Sequence, residues 1–190
     1  MPKAAYLALR RGNLSIIPYR RTAMRASGSQ FDGPGRVHIG ANLPNSPSVA
    51  GHFILHDNAM CRLEGNFSIL SGCRIDVYRG AALTLGSGYI NVGGRLQCYS
   101  AITIGDGTFI GENFRAMDWD QHSIDGRDSA PQPIHIGASV WIGAGVTVLK
   151  GVTIGDGAVI GAGSIVTRDI GAHRLAVGIP AREVSDVSWR

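Results

Sequence analysis

The chain has 190 residues, 44% hydrophobic and 17% charged, with a net charge of +4. That balance excludes a disordered polyelectrolyte and is that of a soluble globular class with one main domain. No apolar run approaches the roughly 20 residues of a membrane helix, and no uninterrupted apolar stretch follows the basic N-terminus as in a signal peptide.

The first 35 residues, most of an N-terminal basic segment spanning 1–36, are dense in arginine: Arg10, Arg11, Arg20, Arg21 and Arg25. Of the 18 basic residues in the chain, only Lys3 and Lys150 are lysine. The segment is partly amphipathic and is broken at Gly12 and Pro18. It reads as a cap over the open end of a repeat structure, which terminal units require. A basic surface for an anionic polymer, a nucleotide or a membrane face is the other reading of the same arginines. Nucleic-acid binding has little support, because no aromatic residues interleave with them.

From about Val37 to Ile170 the sequence is periodic. Ile136, Ile142, Val148, Ile154, Ile160 and Val166 stand six apart, and Gly137, Gly143, Gly155 and Gly161 follow four of them. The i+4 positions are small or apolar: Val140, Val146, Val152, Ala158, Ser164 and Ile170. Six residues suit neither a helix nor a free-standing alternating strand; they make one short strand and one corner, and three units make one turn of a triangular parallel solenoid. The phase runs back through Ile110 and Ile104, then through Cys98 with Ile102 and Val92 with Leu96, with one residue inserted between Leu85 and Val92. Glycine at i+1 is expected to tolerate a tight corner. At about 4.8 Å per coil and about eighteen residues per turn, the prism has roughly six or seven turns. Cys61, Cys73 and Cys98 show neither CxxC nor zinc spacing. They read as small core residues in a reducing compartment.

One long interruption breaks the register. Residues 117–133, within MDWDQHSIDGRDSAPQPIH, carry Asp118, Asp120, Asp125, Asp128 and His122. A loop of this length in an economical repeat points to function. Among carboxylates, a histidine can have its tautomer fixed and its basicity raised, so His122 is the candidate general base, with Asp118 or Asp120 as its support. His38, His52, His56, His135 and His173 read as surface or hydrogen-bonded bystanders. Residues 171–190 form a C-terminal extension.

The elements VWIGAG (140–145), GVTIGDGAVIGAGSIVTRDI (151–170) and VGIPAREV (177–184) resemble the C-terminal signature of the hexapeptide-repeat acyltransferases, in the maltose, galactoside and polysaccharide O-acetyltransferase branch. The resemblance implies an all-β solenoid, a left-handed parallel β-helix assembled as a homotrimer, with active sites between neighbouring prisms. It implies acyl-CoA (acetyl-CoA or succinyl-CoA) as co-substrate, no permanent cofactor and no metal. The acceptor would be a sugar or polysaccharide hydroxyl, and the location cytoplasmic. By position, His122 matches the family's base and Trp141 its cleft-lining tryptophan. Gly143, Ala162, Thr167, Arg168 and Arg182 match positions that contact CoA, and Asn113 one that contacts the acceptor. The form WDQHSI in place of GHP, and the different N-terminus, are closer to colanic-acid and capsule-type enzymes. Two other classes use such a prism: a non-catalytic glycan-binding solenoid, and a γ-carbonic-anhydrase-like hydratase. The hydratase needs an HxxxxH pair, which this chain lacks.

Overall fold

The computed structural model describes residues 15–18, 22–26, 28–42, 48–123, 125–126 and 129–189. Arg10, Arg11, Arg20 and Arg21 lie outside them, whereas Arg25 is exposed on the Thr22–Ala26 strand. Among these residues, no helix is long and apolar enough to cross a membrane. Among the described residues the strands form three sheets of nine, seven and six, which advance by every third strand in chain order until the last two strands of the nine-stranded sheet. Among the described residues all strand pairings are parallel except the closing hairpin of Arg174–Gly178 with Ala181–Asp186. The result is the three-walled parallel β-helix that the spacing predicts. The nine-stranded sheet is termed the first wall, the seven-stranded the second and the six-stranded the third.

Alternate residues of each strand point inward, because successive side chains in a strand face opposite ways. The inward residues stack in columns. On the first wall, Ile69, Ile90, Ile110, Ile142 and Ile160 pair in register from coil to coil. All are at most 1% exposed. Burying one such side chain stabilises by about 1.5–3 kcal/mol, so the prism is held by many repeated small contributions along its axis. Cys61, Cys73 and Cys98 are free and buried in this core. Burial pushes the Cys61 thiol up to about 12 and Cys73 to about 11. These thiols stay protonated and serve as packing.

The register corrects the phase expected upstream. Ile90 and Leu96 are the column residues, at most 1% exposed, while Val92 is only half-buried. Hence Leu85 to Ile90 is a step of five, shortened rather than lengthened. Coil length also varies: Ile90 pairs with Ile110, 20 residues on, but Ile142 with Ile160, only 18 on. The extra residues gather on one edge, where the second wall turns into the third. In successive coils this turn runs from Ile75 to Leu85, Leu96 to Ile104, Ala116 to Ile136, and Val148 to Ile154. The steps are therefore ten, eight, twenty and six.

Two further differences concern the corners and the N-terminus. Glycine at i+1 is needed for close approach, not for unusual backbone angles. A Cβ at Gly143 would lie 2.6 Å from the Ala162 nitrogen of the next coil, and one at Gly111 2.6 Å from the Ala144 nitrogen. The left-handed residue is at i+3, for example Gly145 at φ 69° and Gly163 at φ 71°. Upstream, Ser15–Pro18 pairs with the Arg36–Ala41 strand, and Thr22–Ala26 and Gln30–Asp32 join the second and third walls. Wall strands therefore precede Val37, with Ile16, Met24, Ala26 and Phe31 packed on the same core.

Candidate active site

The long loop leaves the Arg115–Met117 strand and returns at Ile134–Ile136. Its neck is closed by the Gln132 amide donating to the Asp118 carbonyl at 2.8 Å. Asp118 is fully buried, and its carboxylate accepts the amides of Tyr99 (2.7 Å) and Ser100 (2.8 Å) in the preceding coil. Burial pushes its carboxyl above the ordinary value, opposed by those amides. Asp118 thus fixes where the loop departs.

Asp120 pairs with Lys150 at 2.8 Å and also accepts from Ser129. Lys150 donates to Ser129 as well, and the Trp119 indole donates to the Ser129 carbonyl. The Lys150 contact first, then Ser129, holds the Asp120 carboxyl below its usual range. This knot ties both limbs of the loop to the next coil. His122, two residues from Asp120, is exposed. Among the described residues, neither Asp118 nor Asp120 bonds to His122; each is engaged elsewhere.

An aromatic ladder supports the loop from below. His56 stacks on Tyr78 (centroids 4.9 Å, 6°), Tyr78 on Tyr99 (3.9 Å, 7°), and Trp119 meets Tyr99 edge-on at 5.2 Å. The Gln121 side chain donates to the Tyr99 hydroxyl, fixing the backbone beside His122. Sequence reasoning missed Tyr99, Gln121 and Lys150. The ladder did leave a signal, since His56, Tyr78, Tyr99 and Trp119 follow at intervals of 22, 21 and 20, each one coil long.

The remaining candidates divide between two edges. Thr167 and Arg168 are exposed on the edge that carries the loop, in the coil after Lys150. Trp141 is half exposed on the first wall. Gly143 and Ala162 lie over one another at the corner between first and second walls, leaving a strip without side-chain bulk. Asn113 is on that same corner at φ 55°, the left-handed i+3 position, which asparagine tolerates better than most residues. Arg182 is exposed on the closing hairpin, its guanidinium donating to the Ala181 carbonyl at 2.7 Å. One chain therefore brings His122, Asp118, Asp120, Thr167 and Arg168 to one edge. It leaves Trp141, Gly143, Ala162 and Asn113 on another wall and corner.

Residues 133–168 match the bacterial transferase hexapeptide family, six repeats. That match spans 36 of the chain's 190 residues, the regular second half of the prism. Solved structures share the fold of this chain along most of its length. The polySia-specific acetyltransferase NeuO is 24% identical over 94% of this chain and 89% of its own, with a TM-score of 0.57. The acetyltransferase VCA0836 of Vibrio cholerae O1 biovar eltor, complexed with acetyl coenzyme A, is 24% identical over 84% and 71%, at 0.54. A variant of AntD, an N-acyltransferase from Bacillus cereus in complex with dTDP-4-amino-4,6-dideoxyglucose and coenzyme A, is 17% identical over 94% and 82%, at 0.62. No curated protein sequence matches the chain.

Proposed function

We propose that this protein is an acyl-CoA-dependent O-acyltransferase that moves an acetyl or succinyl group to a sugar or polysaccharide hydroxyl. The observation that carries the reading is the placement of His122. It is exposed on the one long break in the repeat, on an edge it shares with Thr167 and Arg168. Structures of this fold that hold acetyl coenzyme A or coenzyme A support the donor, and one that holds a nucleotide-linked amino sugar supports a sugar acceptor.

In this reading His122 takes the proton from the acceptor hydroxyl as its oxygen attacks the thioester carbonyl. Backbone N–H groups stabilise the tetrahedral oxyanion, and its collapse transfers the acyl group and releases CoA as the thiol. Transfer is direct, so no nucleophilic serine or cysteine is used, in keeping with the buried, protonated thiols. Asp118 and Asp120 position the loop, through the Tyr99 and Ser100 amides and through Lys150. Arg168 and Arg182 are the cations for CoA phosphates. The bare strip at Gly143 and Ala162 beside Trp141 is a wall for the pantetheine arm, and Asn113 contacts the acceptor.

These groups occupy different edges of one prism. A homotrimer, with the loop edge of one copy against the Trp141 wall of the next, unites them. The donor places the reaction in the cytoplasm. The test is free-thiol release by His122→Ala across acyl-CoA donors and glycan acceptors. Turnover should fall by about 10²–10⁴-fold with folding intact, as for loss of a general base. Unchanged turnover would remove His122 from the chemistry.

A further inference from the structure

Arg74, Arg95 and Arg115 pair in register on neighbouring strands of the second wall, Arg74 with Arg95 and Arg95 with Arg115. All three side chains point outward and are exposed. In-register neighbours on adjacent strands stand about 4.8 Å apart, so three guanidiniums form one continuous column of like charge. None of the three forms an ion pair among the described residues. The one outward acid on the strands of this wall is Asp76, which is engaged at 2.9 Å with His52. Like charges directly opposite each other in a sheet repel, and a fold gains nothing by aligning them.

We propose that this column is a docking track for an anionic polysaccharide, the carboxylate-bearing acceptor of the reaction read above. Three features favour that occupant. The rungs repeat at a spacing comparable to the advance of one sugar along an extended chain, so successive carboxylates meet successive guanidiniums, each able to bind bidentately. The neighbouring outward column, Arg25, Ile54, Asp76, Gln97, Met117 and Leu149, holds no aromatic ring, and in the column beyond it the rings of His56, Tyr78 and Tyr99 stack on one another rather than facing a base. The track also leads to the candidate site: the strand that carries its last rung, Arg115–Met117, runs directly into Asp118 and the His122 loop. A polymer on the track is thereby delivered to His122 while its length lies along the prism.

The proposal rests on the acyltransferase reading only for naming the polymer an acceptor, so binding and donor use are tested separately. Fluorescently labelled polygalacturonate oligomers are titrated with the full chain and followed by anisotropy, with neutral dextran oligomers and a single-stranded oligonucleotide alongside. Expected are binding of polygalacturonate but not dextran, weakened by added salt. Arg95→Gln should weaken it roughly fivefold, and the triple Arg74→Gln, Arg95→Gln, Arg115→Gln variant roughly a hundredfold. Arg62→Gln is the control, since Arg62 is on the third wall and paired with Asp32 at 2.9 Å. It lowers the net charge equally and should leave affinity unchanged. Equal losses in Arg62→Gln and Arg95→Gln, undiminished binding by the triple variant, or binding of the oligonucleotide in place of polygalacturonate would each overturn the track. Calorimetry of the wild type with CoA separates the two readings. Polymer binding without CoA binding overturns the acyltransferase and keeps the track; CoA binding without polymer binding does the reverse.

Discussion

The first and second walls belong to the same coils and both line the apolar core, yet their outer faces differ completely. In the middle coils the first wall presents Tyr89, Phe109 and Trp141 in register, where the second presents Arg74, Arg95 and Arg115. Tyr89 and Phe109 stack at 4.9 Å, and Trp189 near the C-terminus lies 5.9 Å from both Phe109 and Trp141. A parallel, in-register β-helix turns one outward choice per coil into a continuous ladder. Columns that attract one another add to stability, and columns that repel subtract from it. The aromatic ladder is therefore partly accounted for by the fold, and the arginine ladder is not.

The largest stability effect should come from what the walls share. Ile110→Ala removes a buried column residue between two coils and should cost about 2–5 kcal/mol in urea unfolding. A smaller cost would mean that the coils collapse around the gap, and that the outer ladders hold more of the prism than the comparison allows.

Next is the edge between the second and third walls. Asp118→Asn puts an amide NH₂ where a carboxylate oxygen receives a backbone amide, which should cost about 1–3 kcal/mol. The pH dependence has a definite sign. Burial raises the Asp118 carboxyl, so the folded chain holds this proton more tightly than the unfolded chain. The contribution is full below the ordinary carboxylate value and is lost as pH rises through the raised one. The stability gap between wild type and Asp118→Asn should narrow across that window. A gap that widens with pH would show that the two amides outweigh burial.

The smallest effects test the walls against each other. Phe109→Ala breaks the stack with Tyr89 and should cost about 0.5–1.5 kcal/mol. Arg95→Gln relieves repulsion on both sides and should change stability by less than about 0.5 kcal/mol, toward greater stability. A clear loss in Arg95→Gln would make the arginine column a structural feature and end the contrast.

The run from Ile136 to Val166 was legible because each of its steps is six residues and the residue at each step is aliphatic. The upstream coils were harder, since Val92 imitates the phase while Ile90, Leu96 and Cys98 face the core. Their extra residues sit at one edge, where added backbone is solvated and costs the core nothing. The long loop and His122 could be found as a break in a period. The uses of Asp118 and Asp120 could not, because their partners Tyr99, Ser100 and Lys150 lie 19, 18 and 30 residues away.

By itself, the sequence determined a coiled prism with an apolar interior, through a local rule that every six residues restate. Only the tertiary structure decided which outward residues become neighbours. That depends on the number of residues in each complete coil, summed over three corners. Arg74, Arg95 and Arg115 are separated by 21 and 20 residues and meet because their coils have those lengths. One residue more or fewer at a corner would turn the following strand's side chains to the other face. The core is a property of the hexapeptide; the ladders and the loop edge are properties of the closed turn.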